Sequence, residues 1–406
     1  MLVYVLDKNG QPLMPTERCG KVRRLLKSKQ VKVVRRCPFT IQLLYNTTEL
    51  TQPVTLGVDT GIVHIGMCAS TANRVLYQSE TLQRKDVSDN ISARREFRRT
   101  RRNRKMRYRK PRFDNRVHAK HKGWLAPSVE QLISVHLSEM RFVCKLLPVT
   151  KIRIETAEFD IHKIKDPTVS GVDYQFGEKY GFEQNTRNYV LFRDNHKCRF
   201  CGNTKGKIYV CAADGRQTVA PEDLYTFCES CYRDLCKGIV KIPKRRYFAP
   251  PTKMGIMRDT LMRRAAEMFS IPVEQTTGAE TKALREANGI VKSHINDAFC
   301  ITKNINAQKS DCYYLRRKVR CHNRQIHKAT ISKGGYRKLS QCPYEVKGFR
   351  LYDRVIAHGK EWYIHGRRLK GSFVIKTLDG DTLEIVPSKI LRVNSQHGFI
   401  TERRPA

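Results

Sequence analysis

Between Arg94 and Arg112, 12 of 19 residues are Arg or Lys, one is Glu, and Phe97, Met106 and Tyr108 are interleaved among them. A run of like charges this dense repels itself and stays disordered in isolation, so it needs a polyanion to become ordered. With no Pro before Pro111, the segment is predicted to be a long helix that ends there, ordered by nucleic-acid phosphates. The chain as a whole has the same bias: 78 Lys and Arg against 38 Asp and Glu, a formal net charge of +40 over 406 residues. A 40% apolar content can bury cores and the length allows two to four domains, which excludes a disordered basic tail. An anionic membrane surface is the competing polyanion, yet no apolar run approaches the ~18 residues of a membrane span. The N-terminal MLVYVLDKNGQPLMP lacks the basic-then-apolar pattern of a secretory signal, so a cytoplasmic location is expected. Fourteen cysteines in such a chain point to reduced thiols holding a metal before a disulfide scaffold.

Residues 1–50 read as a small α/β unit: alternation in LVYVLD, a turn at NGQP, helical spacing in CGKVRRLLKSKQ, then the strand-like runs VKVVRR and TIQLLY. Positions 54–82 give two or three strands interrupted at Asp59-Thr60-Gly61. A helix is predicted over 128–148, stopped by Pro148, followed by a buried strand in KIRIETAEFD. Further helices are predicted over 256–271 and after Gly289, and the last eighty residues alternate at period two with Gly and Asp-Gly turns, a small antiparallel β domain.

Three carboxylates occupy apolar surroundings near the ends of predicted elements. Asp59 follows VTLGV, Glu155 follows KIRI, and Asp297 shares a helix face with His294, three residues before it. Singly, an Asp beside Gly at a strand end serves as a turn former. Together, in so basic a protein, the three suit two-metal phosphodiester cleavage, where carboxylates bring two Mg²⁺ ions within ~3.5–4 Å. Mg²⁺ takes hard oxygen ligands and retains several waters, so few protein ligands suffice. His294 suits a water-orienting or general-base role.

Cys198-x2-Cys201 and Cys228-x2-Cys231 form two knuckles, the pattern of a structural Cys₄ Zn²⁺ site. The 26 residues between them exceed the usual ~15–20, so a hairpin or loop is inserted. Cys211 and Cys236 are spare thiols that could serve as alternative ligands. Four thiolates leave no open position for catalysis at zinc.

Several segments together resemble IscB, the transposon-encoded RNA-guided nuclease family related to the CRISPR effectors with HNH and RuvC domains. They are PLMP at 12–15, LGVDTGIVHIGM, the arginine-rich helix, IETAEFDIHKI, TKALREANGIVKSHINDAF, and the terminal GFRLYDRV with IHGRRLKGSF. In the family's order they span nearly the whole chain. The resemblance implies an α/β protein whose RNase H-like RuvC core is assembled from three segments, 53–83, 123–184 and 249–318. It further implies a PLMP domain at 1–52, a bridge helix at 84–122, an HNH-like ββα zinc domain at 185–248, and a β domain at 319–406 that contacts target-adjacent duplex. Asp59, Glu155 and Asp297 would be the RuvC carboxylates, with His294 beside them. The family's Asp-Pro-Gly is Asp59-Thr60-Gly61 here, which keeps the carboxylate.

The HNH segment departs from the family further. Its Asp-His pair falls on Val210-Cys211-Ala212-Ala213, its Asn on Asp223, and the position after the second knuckle on Tyr232. Ala212 cannot take a proton, so the zinc fold is expected without its active site. A shifted alignment would use His196 or Asp214.

The implied activity is RNA-guided DNA cleavage through the RuvC site alone, nicking the displaced strand, with one chain bound to a guide (omega) RNA and target double-stranded DNA. Arg94, Arg95, Arg98, Arg99, Arg101, Arg102, Arg104, Lys105, Arg107, Arg109 and Arg112 would hold the heteroduplex by its backbone. Arg367 and Arg368 could contact the adjacent duplex, and Lys338 and Arg350 carry the same ambiguity between a duplex contact and a solvated surface. Phe97 and Tyr108 would pack the helix or stack on bases. The alternatives are a guided binder without cleavage and an RNA-binding assembly factor.

Overall fold

The computed structural model of the chain describes residues 2–102, 123–156, 183–212, 223–239, 249–320, 330–331, 337–338, 342–368, 371–395 and 398–406. It is a mixed α/β protein with several sheets. The N-terminal unit comprises β1 (Tyr4–Leu6), α1 (Cys19–Lys27), β2 (Val31–Arg36) and β3 (Phe39–Leu43), with β3 in the middle of the sheet. Val5, Val22, Val31, Ile41 and Leu43 form its core.

Next comes an antiparallel meander of β4 (Val54–Asp59), β5 (His64–Ser70) and β6 (Val75–Leu82). It is followed by α2 (Val87–Arg102), α3 (Pro127–Cys144) and β7 (Val149–Thr156). A small zinc-knuckle module holds α4 (Glu183–Arg193), the hairpin of β8 (Ile208–Ala212) and β9 (Leu224–Cys228), and α5 (Glu229–Cys236). The chain then returns through α6 (Ala249–Met268), β10 (Val273–Thr277), α7 (Gly278–Ala287), α8 (His294–Ile301) and β11 (Cys312–Lys318). Beyond a short pair, β12 (Thr330–Ile331) and β13 (Arg337–Lys338), lies an antiparallel sheet of β14 (Arg354–Ala357), β15 (Lys360–Arg367), β16 (Phe373–Lys376), β17 (Thr382–Ile385) and β18 (Leu391–Asn394). The last strand, β19 (Phe399–Pro405), corrects the expectation that 319–406 forms one β domain. It leaves that sheet and pairs with β11 as the edge of the main sheet.

The main sheet has seven strands in the order β10-β7-β4-β5-β6-β11-β19, with β10, β7 and β4 parallel. Period-two alternation decides what each face carries. Val54, Leu56, Val58, Ile152 and Ile154 turn to one face and share a core with Ile133, Met140 and Val143 of α3 and Met257, Leu261 and Ala265 of α6. The intervening residues Gly57, Asp59 and Glu155 therefore fall on the opposite face, where α8 packs. Two glycines let α8 sit directly on the backbone. A Cβ at Gly57 would lie 2.2 Å from the Ala298 carbonyl oxygen, and one at Gly66 would lie 1.9 Å from that of His294.

A buried ion pair pins the far side of the sheet. Arg316 donates to both carboxylate oxygens of Glu139, at 2.6 and 3.0 Å, and to Thr401 Oγ1 at 3.0 Å, while Thr81 Oγ1 donates to Glu139 at 2.7 Å. With Phe142 and Phe399 under the guanidinium, one residue ties β6, α3, β11 and β19 together. Among the described residues no helix is long and apolar enough to cross a membrane.

Candidate functional site

β4 and β7 run parallel side by side, so their C-terminal ends emerge at one edge, the place where open α/β sheets present their ligand-binding groups. Asp59 closes β4 and Glu155 is the penultimate residue of β7. Thr60 Oγ1 donates to the Glu155 carbonyl at 2.6 Å and locks the two ends in register. α8 begins at the same edge. Ser293 caps it through its hydroxyl, which accepts from the Asn296 N–H and fixes His294 and Asp297 in the first turn. His294 Nδ1 lies 2.7 Å from Asp59 Oδ2, and Arg285 Nε of α7 lies 3.1 Å from Asp297 Oδ1. That Arg285 contact is an ion pair without hydrogen-bond alignment, since the same oxygen has no hydrogen-bond partner.

The electrostatics are those of carboxylates crowded in a buried place, where Arg285, Lys292 and His294 offset only part of the cost. Burial pushes Glu155 up to about 7, helped by the Asp59 and Asp297 charges and opposed by the Thr281 hydroxyl. Burial also raises Asp59, against the His294 hydrogen bond, and raises Asp297, where the Asp59 charge adds and Arg285 opposes. His294 is raised in turn, chiefly by its bond to Asp59. Glu155 Oε2 is buried with no hydrogen-bond partner. An orphaned carboxylate oxygen among hard oxygen donors fits a site for Mg²⁺.

The structure adds two residues to this edge that no sequence motif singled out. His64, the first residue of β5, stacks on His294 with ring centroids 4.9 Å apart and planes within 8°. Its Nδ1 lies 2.6 Å from Glu80 Oε1 of β6. The alternation of His64, Gly66 and Cys68 on the face under α8 was a usable signal, but nothing local marks Glu80 as the partner of His64.

The second candidate site lies in the zinc-knuckle module. The sulfurs of Cys198, Cys201, Cys228 and Cys231 lie within 4.8 Å of one another, and all but Cys201 are buried. Gly202, at φ +76°, turns the first knuckle back so that its N–H reaches the Cys198 carbonyl at 2.8 Å. The second knuckle straddles the start of α5. The Ser230 hydroxyl is the largest of the hydrogen bonds that hold the Cys228 thiol down, while burial and the neighbouring thiols push Cys231 up. A closed set of four soft donors fits a structural Zn²⁺.

On the hairpin face, Ala212 is buried at the end of β8 and Tyr232 stacks on Tyr209 with centroids 4.7 Å apart. His196 occupies a turn after α4, where its N–H donates to the Leu191 carbonyl, and Asp214 lies outside the described residues. Cys211 stands outside the four-sulfur group, its thiol pushed up to about 11 by burial, and Cys236 is exposed beyond it.

Of the basic residues, Arg94, Arg95, Arg98 and Arg99 lie on α2, which extends to Arg102. The side chains of Arg101 and Arg102, and all of Arg104, Lys105, Arg107, Tyr108, Arg109 and Arg112, lie outside the described residues, as does the side chain of Lys338. Arg367 departs from its expected place on an exposed turn. It ends β15, is only 9% exposed, and donates to the Tyr344 carbonyl, because a β-bulge between Ile364 and Gly366 breaks the strand's alternation and sets Arg367 opposite the buried Phe373. Arg368 is exposed but pairs with Glu384 at 2.8 Å, and Arg350 with Glu345 at 2.9 Å.

Compared with known proteins, residues 3–177 match the model of a family described as RRXRR protein. The chain spells that pattern in Arg98-Arg99-Thr100-Arg101-Arg102. No curated protein matches. Among solved structures, the chain is similar to Cas9 of Streptococcus thermophilus in complex with the AGAA PAM, at 14% identity over 54% of this chain. The match spans 18% of that Cas9, and its TM-score of 0.12 leaves the fold to be argued from the chain's own residues.

Proposed function

We propose that the chain is an RNA-guided DNA endonuclease of the Cas9/IscB type that cuts one strand through the carboxylate site at the ends of β4 and β7. One observation carries the reading: Asp59, Glu155, His294 and Asp297, from three distant segments, lie close enough at one sheet edge to shift one another's protonation, and one Glu155 oxygen there is buried with no hydrogen-bond partner. The match to the RRXRR family and the resemblance to IscB support it, as does the basic helix α2, which follows β6 of the same sheet.

Asp59, Glu155 and Asp297 would hold Mg²⁺, which when bound supplies Lewis acidity toward the phosphate and the attacking water. His294, tied at Nδ1 to Asp59, keeps its other ring nitrogen for orienting that water or accepting its proton. The arginines of α2 bind phosphates without reading sequence, which leaves specificity to base pairing with a guide RNA. In the zinc module, four cysteines would hold Zn²⁺ and keep the ββα shape, while Ala212 and the stacked Tyr232 replace the groups a second nuclease site needs. Cleavage is therefore confined to the displaced strand, and one chain with one guide RNA suffices.

The test is strand-resolved cleavage of a plasmid matched to the guide segment of the RNA that copurifies with the protein. Nicking of the displaced strand alone, dependent on Mg²⁺ and strongly reduced by Asp59→Ala with target binding retained, is the expected result. Equal cutting of both strands would overturn the single-site reading. Guided binding without breaks at any Mg²⁺ level would leave a binder.

A further inference from the structure

The geometry points to a second histidine–carboxylate pair, His64 with Glu80, whose role is to hold the His294 ring in its working orientation. The inference deepens the nuclease reading and rests on it. His294 stands at the first position of α8 with its side chain 43% exposed, and Asp59 restrains it through Nδ1. One hydrogen bond fixes a point on an imidazole and leaves the plane free to swing about it. The flat contact with His64, 4.9 Å between centroids and 8° between planes, supplies the missing restraint. His64 can do so because it is held itself, by Glu80 at 2.6 Å.

The sheet register builds this arrangement. Gly66 of β5 pairs directly with Glu80 of β6, and His64 pairs with Leu82, so Glu80 is the diagonal neighbour of His64 on the α8 face. Gly66 between them carries no side chain, and the His294 carbonyl occupies the space a Cβ would fill. The gap that admits the start of α8 is thus flanked by His64 and Glu80, and the ring of His294 lies against His64.

The donor atoms of His64, Glu80 and His294 lie within 4.8 Å of one another, and their composition would also suit a borderline metal ion. The stack argues against one. Imidazole lone pairs lie in the ring plane, so two parallel rings aim theirs side by side and do not converge on a tetrahedral ion. Positioning accounts for the parallel planes and a metal ion does not.

The test compares His64→Ala, His64→Phe and Glu80→Gln in the full chain with its copurified RNA, each checked by thermal melting. If His64 positions His294, His64→Ala lowers kcat for nicking by about 10-fold, in the range of losing a group that orients an active-site residue, and leaves the KM for DNA unchanged. His64→Phe restores most of the rate because it keeps a flat face. Glu80→Gln stays near wild type because the amide oxygen still accepts from His64. Wild-type rates in His64→Ala, or no rescue by phenylalanine, would overturn the proposal.

A readout independent of cutting separates it from the nuclease reading. In long-range ¹H–¹⁵N spectra of histidine-labelled protein, with His294 assigned by its loss in His294→Ala, the His294 ring nitrogens hold distinct shifts in wild type. In His64→Ala they broaden or split, because the ring samples more than one plane while Asp59 still holds Nδ1. An unchanged His294 signal rejects the positioning role even if the wild-type protein never cuts DNA, whereas a changed signal without cutting rejects only the nuclease.

Discussion

The two candidate metal sites of this chain are built on opposite principles. At the edge of the main sheet, hard oxygen donors from three remote segments converge, and the fold leaves a buried carboxylate oxygen without a partner. In the zinc module, four soft donors from two short knuckles close on one another within 4.8 Å. The first arrangement is held in a tense electrostatic state, with all three carboxylates raised. That tension can be released by a cation with open coordination positions. The second has no open position and serves to hold a hairpin to a helix. An ion at the unsatisfied site would keep open positions, and one at the closed site would have none.

The largest expected effect breaks the comparison at its reactive end. Asp59→Ala should lower nicking by about 10²–10³-fold, the scale of removing one strong electrostatic group from a transition state, while filter binding of target DNA stays intact. Loss of binding in step with cutting would mean that the carboxylates are structural.

Next comes the closed site. The protein should carry close to one zinc per chain by elemental analysis, and Cys231→Ser should lose it together with protease resistance of the segment around 198–236. Folding free energy in such modules is largely metal-binding free energy. Displaced-strand nicking should persist in this variant; if it vanishes along with the zinc, the two sites are not independent.

The buried pin behind the reactive site sets a third scale. Glu139→Ala leaves Arg316 charged, 4% exposed and without its carboxylate, so chemical denaturation should show a loss of about 3–5 kcal/mol. The zinc module has its own pin, Arg193 with Asp194 at 2.6 Å and Thr226 donating to Asp194 at 3.0 Å. Asp194→Ala should melt that module first, which gives a direct comparison of the two scaffolds.

The smallest effect is a pH slope. Glu155 titrates near 7 in the folded protein against an ordinary 4.5, so between those values the folded chain holds a proton that the unfolded chain has released. Stability of the Mg²⁺-free protein should therefore fall as pH rises through that window, by on the order of 1.4 kcal/mol per pH step of one at most. His294, also raised, acts in the same direction. Glu155→Gln should flatten the slope, and so should saturating Mg²⁺ in the wild type. Stability that rises with pH over this range would contradict the reading of Glu155 as an uncompensated buried carboxylate.

Much of the candidate machinery was legible in the sequence because it is written in local patterns. The Cys-x2-Cys pairs announce their chemistry by spacing alone. Asp59 after VTLGV and Glu155 after KIRI mark the ends of strands whose alternation sets the face they occupy. Arg367 was misplaced because the basic HGRRLKG run hides a strand that continues to Arg367, and a β-bulge after Ile364 turns that guanidinium inward against the alternation. The strand at Phe399–Pro405 reads locally like its neighbours, and nothing in its pattern says that its partner is β11 and not the preceding sheet. Glu80 looks like any charged residue on a strand until the register with Gly66 sets it diagonally beside His64.

The sequence by itself determined the donors and the period-two faces on which Asp59, Gly57 and Glu155 must lie together, because side-chain alternation is a property of each strand. It also determined the dense positive charge of residues 94–112. Only the tertiary structure decided which strands adjoin, how closely α8 could approach over Gly57 and Gly66, and hence that His294 would meet Asp59 and His64 at one edge. The reason is physical: register and close approach depend on contacts between residues more than two hundred positions apart, and no local pattern encodes those.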